Sequence, residues 1–164
     1  MNKSEIKKLQ KRANRLELSA KERDKLTEQA IRYGENFLEN LPAQKAFVQT
    51  DKKASLPSFS DEPTSFDQLL SVLHEEVDSN GLNPPSGNHL GYIPAGGLYP
   101  SALGDFLAAV TNRYAGSLYN APGAVRMENQ CLRWLCDLIG YPEGAGGNLT
   151  SGGSIANLIG MANA

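Results

Sequence analysis

The sequence is poor in cysteine and in long apolar runs, and each shortage excludes a class of protein. Its two cysteines, Cys131 and Cys136, match no CxxC zinc or redox motif, so we expect two reduced, buried thiols. No stretch approaches the ~18 apolar residues of a membrane span. The charged start, MNKSEIKKLQKR, has no apolar run behind it that would make a signal peptide. These absences predict a cytoplasmic protein outside the membrane.

The chain also lacks an excess of positive charge. Its formal net charge of −2 and pI near 5.7 give no electrostatic reason to expect a nucleic-acid or anionic-membrane partner. The charge is uneven, because residues 1–53 hold 13 of the 16 Lys and Arg residues and sum to +5. Residues 54–164 sum to −7. A basic arm could dock on an acidic body, within the chain or across a dimer, although a solvated helix surface is the simpler interpretation.

Apolar periodicity predicts a chain made of helices and loops. Ser19 with Glu22 forms a capping box for the first helix, and Thr64 or Ser65 begins the second. Residues 43–63 are predicted to be an extended linker, and residues 81–100 a structured loop, because the latter combine Gly and Pro with aromatics. A short strand is predicted around Gly147–Thr150. The predicted helices, each with a buried apolar stripe, run over 20–40, 65–80, 101–114, 124–139 and from 154 to the end of the chain.

The most informative segment is a glycine-rich loop that leads directly into a helix. It reads Thr150-Ser-Gly-Gly-Ser154 and follows a short apolar step. Glycine allows a tight turn and a close approach of backbone to ligand, and the free N–H groups of a first helical turn attract phosphate. No lysine follows the glycines as in a Walker A loop, and the spacing is not GxGxxG. Phosphate binding is one interpretation; the other is a plain glycine turn with Ser154 as the N-cap.

Three motifs in order give the chain a family resemblance. They are GYIPAGGLYP from Gly91, APGAVRMENQ from Ala121 followed by Trp134-Leu135, and TSGGSIANL from Thr150. Together they resemble the group II pyridoxal-phosphate-dependent decarboxylases, relatives of the aromatic-amino-acid and glutamate decarboxylases. Residues 20–90 are more loosely similar to the helical N-terminal segment of that family. The resemblance implies an α/β fold of the type I transferase class, of which these 164 residues supply mainly helices and loops.

The resemblance also implies a domain division and two sets of site residues. Residues 1–90 correspond to a helical, dimer-wrapping arm with its linker, and residues 91–164 to the start of the large cofactor-binding domain. The resemblance assigns the phosphate of pyridoxal 5'-phosphate to Ser151, Gly152, Gly153 and Ser154, and a substrate contact to Tyr92, Pro94 and Ala95.

Two departures from the family pattern leave the substrate open. Ala95 stands where relatives commonly carry a hydroxyl residue, and Ile155 stands where many carry a glutamate. The resemblance therefore implies an amino-acid substrate and a homodimer in the complete protein without specifying the amino acid.

The same resemblance predicts that part of the catalytic machinery is missing. The family needs a Schiff-base lysine, a carboxylate at the pyridine nitrogen and a ring-stacking histidine, all beyond the phosphate-loop helix. No lysine occurs between Ala54 and Ala164, and His89 lies too early to be the stacking histidine. We therefore expect the N-terminal part of an amino-acid carboxy-lyase, inactive alone. Two alternatives stay open: an inactive helical interaction or dimerisation protein, and a small phosphate-binding module.

Overall fold

The computed structural model describes residues 2–14, 16–50, 56, 58, 62–92 and 96–163. These residues fall into two compact units, Met1–Gly97 and Leu98–Ala164. The elements are mainly helices and loops, as the sequence predicts. The predicted functional division between residues 90 and 91 stays a prediction.

Two capped helices begin the first unit. Helix α1, Lys3–Ala13, was not assigned from the sequence, and Asn2 with Glu5 forms its capping box. Helix α2, Ala20–Asn40, confirms the predicted bounds and the predicted box: the Glu22 amide donates to Ser19 Oγ at 3.3 Å, and the Ser19 amide donates to the Glu22 carboxylate at 2.8 Å. The hydrogen bonds from Ser19 lower the pKa of Glu22.

The predicted linker is partly ordered. Helix α2 is followed by a 3₁₀ turn, Leu41–Ala43, whose Pro42 has no N–H group with which to continue the helix. Strand β1, Phe47–Val48, then pairs antiparallel with β2, Gly81–Leu82. Sequence reasoning missed this pair because two-residue strands have no measurable periodicity. Residues 51–55, 57 and 59–61 of the predicted linker lie outside the described residues.

The second predicted helix forms in two parts. Helix α3, Phe66–Val72, begins after Ser65, which forms a capping box with Gln68. It continues as a π-helical turn, Leu73–Asp78. Two side-chain bonds connect this helix to α2: Gln29 Nε2 donates to Asp67 at 2.5 Å, and the Tyr33 hydroxyl donates to Asp78. Burial and the bond to the Asp78 carboxylate together raise the pKa of Tyr33 well above its usual range.

The first part of the loop after β2, residues 83–89, is structured, as predicted, whereas residues 93–95 lie outside the described residues. Ser86 is one of three buried residues in the described part of the chain, and its hydroxyl donates to the Gln44 carbonyl at 2.9 Å. The Asn83 side chain donates to Gln44 Oε1 at 2.6 Å. The Gly- and Pro-rich loop is therefore fixed to the segment that follows α2.

The second unit consists of three helices: α4, Tyr99–Thr111, α5, Pro122–Leu138, and α6, Gly153–Ala162. Asn112 (φ +43°) ends α4 earlier than predicted, and Gly140 (φ +79°) follows α5 as predicted. Helix α6 extends to Ala162, and the Asn163 amide still donates to the Ile159 carbonyl as in an α-helix; Ala164 lies outside the described residues.

The prediction of a strand at Gly147–Thr150 is wrong, because these residues pair with no described strand. A strand needs a neighbour to accept its hydrogen bonds, and this segment has none among the described residues.

The predicted buried stripes are largely exposed. On α4, Phe106 is 52% exposed and Val110 66% exposed. Trp134, on α5, is 60% exposed. Cys136 is buried as predicted, whereas Cys131 is exposed, and neither forms a disulfide. The periodicity correctly marks which faces are apolar, but no described element covers them. None of the described helices combines the length and apolarity needed to cross a membrane.

Candidate functional site

The glycine loop has a backbone conformation that favours glycine. Gly152 has φ +154° and ψ +164°, a region that residues with a Cβ rarely adopt. The Thr150 hydroxyl donates to the Gly152 carbonyl at 3.1 Å and closes the turn before α6. The four predicted phosphate residues, Ser151 to Ser154, are consecutive and exposed.

The N-terminus of α6 offers backbone donors. Gly152 is the N-cap residue, and the first backbone bond of the helix runs from the Ala156 amide to the Gly152 carbonyl at 3.1 Å. No described side chain caps this helix. The alternative in which Ser154 is the N-cap is therefore wrong. The N–H groups of the first turn point along the helix axis, and the helix dipole adds positive potential there.

The residues at this turn fit a phosphate group. A Cβ built on Gly152 or Gly153 would meet no atom within 4 Å, so phosphate oxygens have room against the backbone. Ser151 and Ser154 are exposed hydroxyl residues beside the same turn and can add donors. The fit covers only the phosphate end of pyridoxal phosphate, since the unit contains no lysine.

The loop before the glycine turn is held by one arginine of α5. The Arg133 guanidinium donates to Asp137, one turn later, and to backbone carbonyls between Tyr141 and Ala145. The hydrogen bond with Asp137 raises the pKa of Arg133. Sequence reasoning missed this cluster. The spacing of Arg133 and Asp137, four residues apart on one helix, could have predicted their ion pair. Nothing in that spacing predicts the contacts with the loop carbonyls.

The predicted substrate loop is only partly described. Pro94 and Ala95 lie outside the described residues. Tyr92 is 85% exposed and has φ +61°, which is uncommon for a residue other than glycine. Its ring stacks on His89 with centroids 6.2 Å apart and 24° between the planes. His89 is half-buried, as expected for a structural histidine.

Two pairs of opposite charge in the second unit form no ion pair in the described part of the chain: Arg126 with Glu128, and Asp105 with Arg113. In the first unit, His74 is exposed.

A cleft of about 470 Å³ lies in the first unit. Its lining includes His74, Glu75, Glu76 and Ser79, but none of the predicted cofactor or substrate residues. Within the described residues, no group of three or more His, Cys, Asp or Glu side chains is arranged to hold a metal ion.

Comparison with known proteins identifies relatives over most of the chain. The family model described as the pyridoxal-dependent decarboxylase conserved domain matches residues 50–164. An aromatic-L-amino-acid decarboxylase of Bacillus atrophaeus is 28% identical over 153 residues, which cover 89% of this chain and 31% of that protein. A histidine decarboxylase of Mus musculus is 27% identical over 100 residues, 61% of this chain and 15% of that protein. The chain thus spans less than a third of the length of these relatives.

The structural comparison agrees with the sequence comparison. The crystal structure of Oryza sativa TDC with PLP and tryptamine matches 83% of this chain and 29% of that chain, with a TM-score of 0.67 and 19% identity. The likeness shows that the helices of this chain adopt the fold of the corresponding part of that protein. Since the family match covers more than half of its residues, the chain belongs to the pyridoxal-dependent decarboxylase family.

Proposed function

We propose that this chain is the N-terminal part of a pyridoxal-phosphate-dependent amino-acid decarboxylase. It carries the loop that holds the cofactor phosphate and the loop that contacts the substrate, and it lacks the lysine to which the cofactor attaches. The whole enzyme is a carboxy-lyase acting on an L-amino acid. Family membership supports the class of reaction, and the geometry at Gly152 supports the role of this part of the chain.

The observation that carries the proposal is the uncapped N-terminus of α6 behind a glycine turn. Gly152 adopts its glycine-favouring conformation there, and the space beside Gly152 and Gly153 is open. The N–H groups of the first turn bind and orient the phosphate, and the hydroxyls of Ser151 and Ser154 donate further bonds. Because the phosphate carries no reacting atom, these residues anchor the cofactor rather than perform chemistry.

The substrate loop has a separate role in the proposal. Tyr92, Pro94 and Ala95 contact the amino-acid side chain, with Tyr92 and Pro94 forming an apolar wall. Ala95 offers no hydroxyl, so a polar contact made by relatives at this position is missing. When bound, the cofactor supplies the electron sink that allows carbon dioxide to leave. The residues of this chain bind and orient the cofactor phosphate and the substrate side chain.

The partners and the compartment are part of the same proposal. We expect a homodimer in the complete protein, in which the apolar faces of the first unit's helices are covered by the other subunit. We also expect a cytoplasmic enzyme without nucleic-acid or membrane partners. The free thiol of Cys131, exposed on α5, agrees with a reducing compartment.

Binding of a cofactor analogue by the isotope-labelled chain tests the phosphate loop. Pyridoxine 5'-phosphate has an alcohol in place of the aldehyde, so it cannot react with the lysines of residues 1–53. We expect NMR amide shifts confined to residues 151–156, and none with pyridoxine, which has no phosphate. Shifts spread over the basic helices α1 and α2 instead would mean nonspecific attraction, and would contradict the proposal.

A second candidate function is an inactive interaction protein derived from the same family. The exposed apolar faces of α4 and α5 favour it, because large uncovered apolar patches mark interaction surfaces. A stable complex with a full-length relative, formed by a chain that does not bind pyridoxine 5'-phosphate, would favour this candidate over the first.

A further inference from the structure

We propose that Arg133 is a positioning residue for the phosphate loop: its guanidinium fixes the segment 141–147 and thereby sets where the glycine turn lies. The inference rests on the proposed function of that turn. Arg133 does not contact the turn itself, so its effect on phosphate binding is transmitted through the chain between Ala145 and Gly152.

The guanidinium contacts several carbonyls of one short segment. Arg133 Nη1 lies 2.7 Å from the Glu143 carbonyl, 3.2 Å from that of Pro142 and 3.3 Å from that of Ala145. Nη2 lies 3.5 Å from the Tyr141 carbonyl. Among side chains, only arginine offers five N–H donors in a rigid planar group. It can therefore donate to several carbonyls of one loop.

An acidic residue of the same helix orients the guanidinium. Asp137 Oδ1 accepts from Arg133 Nε at 3.0 Å and from Nη2 at 2.6 Å. The pair lies one helical turn apart on α5, and the Arg133 side chain is 31% exposed. Two bonds to one oxygen fix the plane of the guanidinium, so Nη1 is directed at the carbonyls of the loop.

Two neighbours on α5 extend the contact toward the glycine turn. The buried Cys136 thiol lies 4.0 Å from the Ala145 carbonyl, and a Cβ built on Gly147 would lie 3.3 Å from Leu132 Cδ2. From Gly147 to Gly152 the chain advances at most about 3.5 Å per residue. Holding Gly147 on α5 therefore limits where the donors of α6 can lie, and this restriction preorganises them for the anion.

The experiment compares two arginines of the same helix in the full 164-residue chain. Arg133→Gln removes the fork, and Arg126→Gln makes the same charge change at an exposed residue with no contact to the loop. Arg133→Lys keeps the charge but offers a single ammonium. For each protein the dissociation constant of pyridoxine 5'-phosphate is measured by NMR, together with hydrogen exchange of the amides of residues 143–147.

We expect Arg133→Gln to weaken binding about fivefold or more and to speed exchange at residues 143–147. Arg126→Gln should match the original chain in both the dissociation constant and the exchange rates. Arg133→Lys should give values between those of the original chain and of Arg133→Gln. Arg133→Gln with binding within about twofold of the original, or with unchanged exchange at residues 143–147, overturns the inference. If the original chain binds no phosphate, the proposed function fails at this loop, and the exchange rates alone decide whether Arg133 orders the segment.

Discussion

At the scale of residues, a hydrogen bond between Tyr33 and Asp78 joins distant parts of the first unit. It joins α2 to the π-helical turn across 45 residues of sequence. Burial and the Asp78 carboxylate both favour the neutral phenol, which is why the pKa of Tyr33 is raised. The bond is one of the few long-range side-chain contacts in a unit that has little buried apolar surface.

We expect the contribution of Tyr33 to stability to depend on alkaline pH. Its pKa in the fold is higher than its unfolded value, so the stabilisation is complete below about pH 10 and is lost as pH rises through the raised pKa. Tyr33→Phe should cost about 1 kcal/mol of local stability at neutral pH, measured as faster hydrogen exchange in α2 and the π-helical turn.

Asp78→Asn tests how far the Asp78 carboxylate, beside burial, raises the pKa of Tyr33. It should lower the pKa of Tyr33 toward its ordinary range, observed in the NMR titration of the tyrosine rings, with Tyr33→Phe assigning the resonance. The ring resonances of Tyr119, which is 95% exposed in the second unit, should be the same in Asp78→Asn and in the original chain at neutral pH. An unaltered Tyr33 titration in Asp78→Asn would show that the carboxylate is not responsible.

At the scale of elements, the helices differ in how the backbone N–H groups of their first turns are hydrogen-bonded. The capping boxes before α1, α2 and α3 satisfy backbone donors at each start, whereas α4, α5 and α6 begin with no side-chain cap. An uncapped first turn leaves its N–H groups to water or to a ligand. A proline in the first turn of α4 and of α5 removes one of these donors, whereas α6 follows the glycine turn and has no such proline, so α6 is the proposed phosphate site.

We expect Gly152→Ala to weaken binding of pyridoxine 5'-phosphate by roughly tenfold. The φ of +154° at Gly152 costs a residue with a Cβ roughly 1–3 kcal/mol, so the turn would relax to another conformation. Gly160→Ala in the same helix is the control, because a Cβ there meets nothing within 4 Å and alanine favours a helix. Equal binding by Gly152→Ala and the original chain would contradict the role of this turn.

At the scale of the whole molecule, the apolar surface exceeds what the described elements cover. In the described residues only Ala121 and Cys136 are buried apolar residues, while α4 and α5 expose Phe106, Val110 and Trp134. Burial of apolar area supplies most of the free energy of folding. The helices are therefore formed but not packed into a core of ordinary size.

We expect the isolated chain to melt without a sharp transition and to bind a hydrophobic dye such as ANS. Followed by circular dichroism at 222 nm, helix signal should decline gradually with temperature, because each helix loses its structure with little coupling to a shared core. A steep, cooperative melt of a monomer that does not bind the dye would contradict this expectation.

We also expect the isolated chain to release no carbon dioxide from any amino acid supplied with pyridoxal 5'-phosphate. No lysine lies between Ala54 and Ala164, so the second unit cannot attach the cofactor covalently. Gas release or amine formation would be assayed beside the complete Bacillus atrophaeus relative as a positive control. Turnover by the 164-residue chain would refute the expectation.

The sequence by itself determined the family, every described helix except α1, and the position of the glycine turn. Local signals suffice for these: Ser19 and Glu22 specify a helix start, Gly140 a helix end, and the order of three motifs a family. Each cap and each motif consists of residues that are close in the chain, so the amino-acid sequence contains these signals in full.

Only the tertiary structure decided which contacts the chain makes at long range and which apolar faces are covered. The pairing of β1 with β2, the bond from Tyr33 to Asp78 and the Arg133 contacts to loop carbonyls join residues whose partners no local pattern specifies. The apolar stripe of α4 is predicted to be buried, but Phe106 and Val110 are exposed. Periodicity states which face of a helix is apolar, but burial depends on whether another element lies against that face.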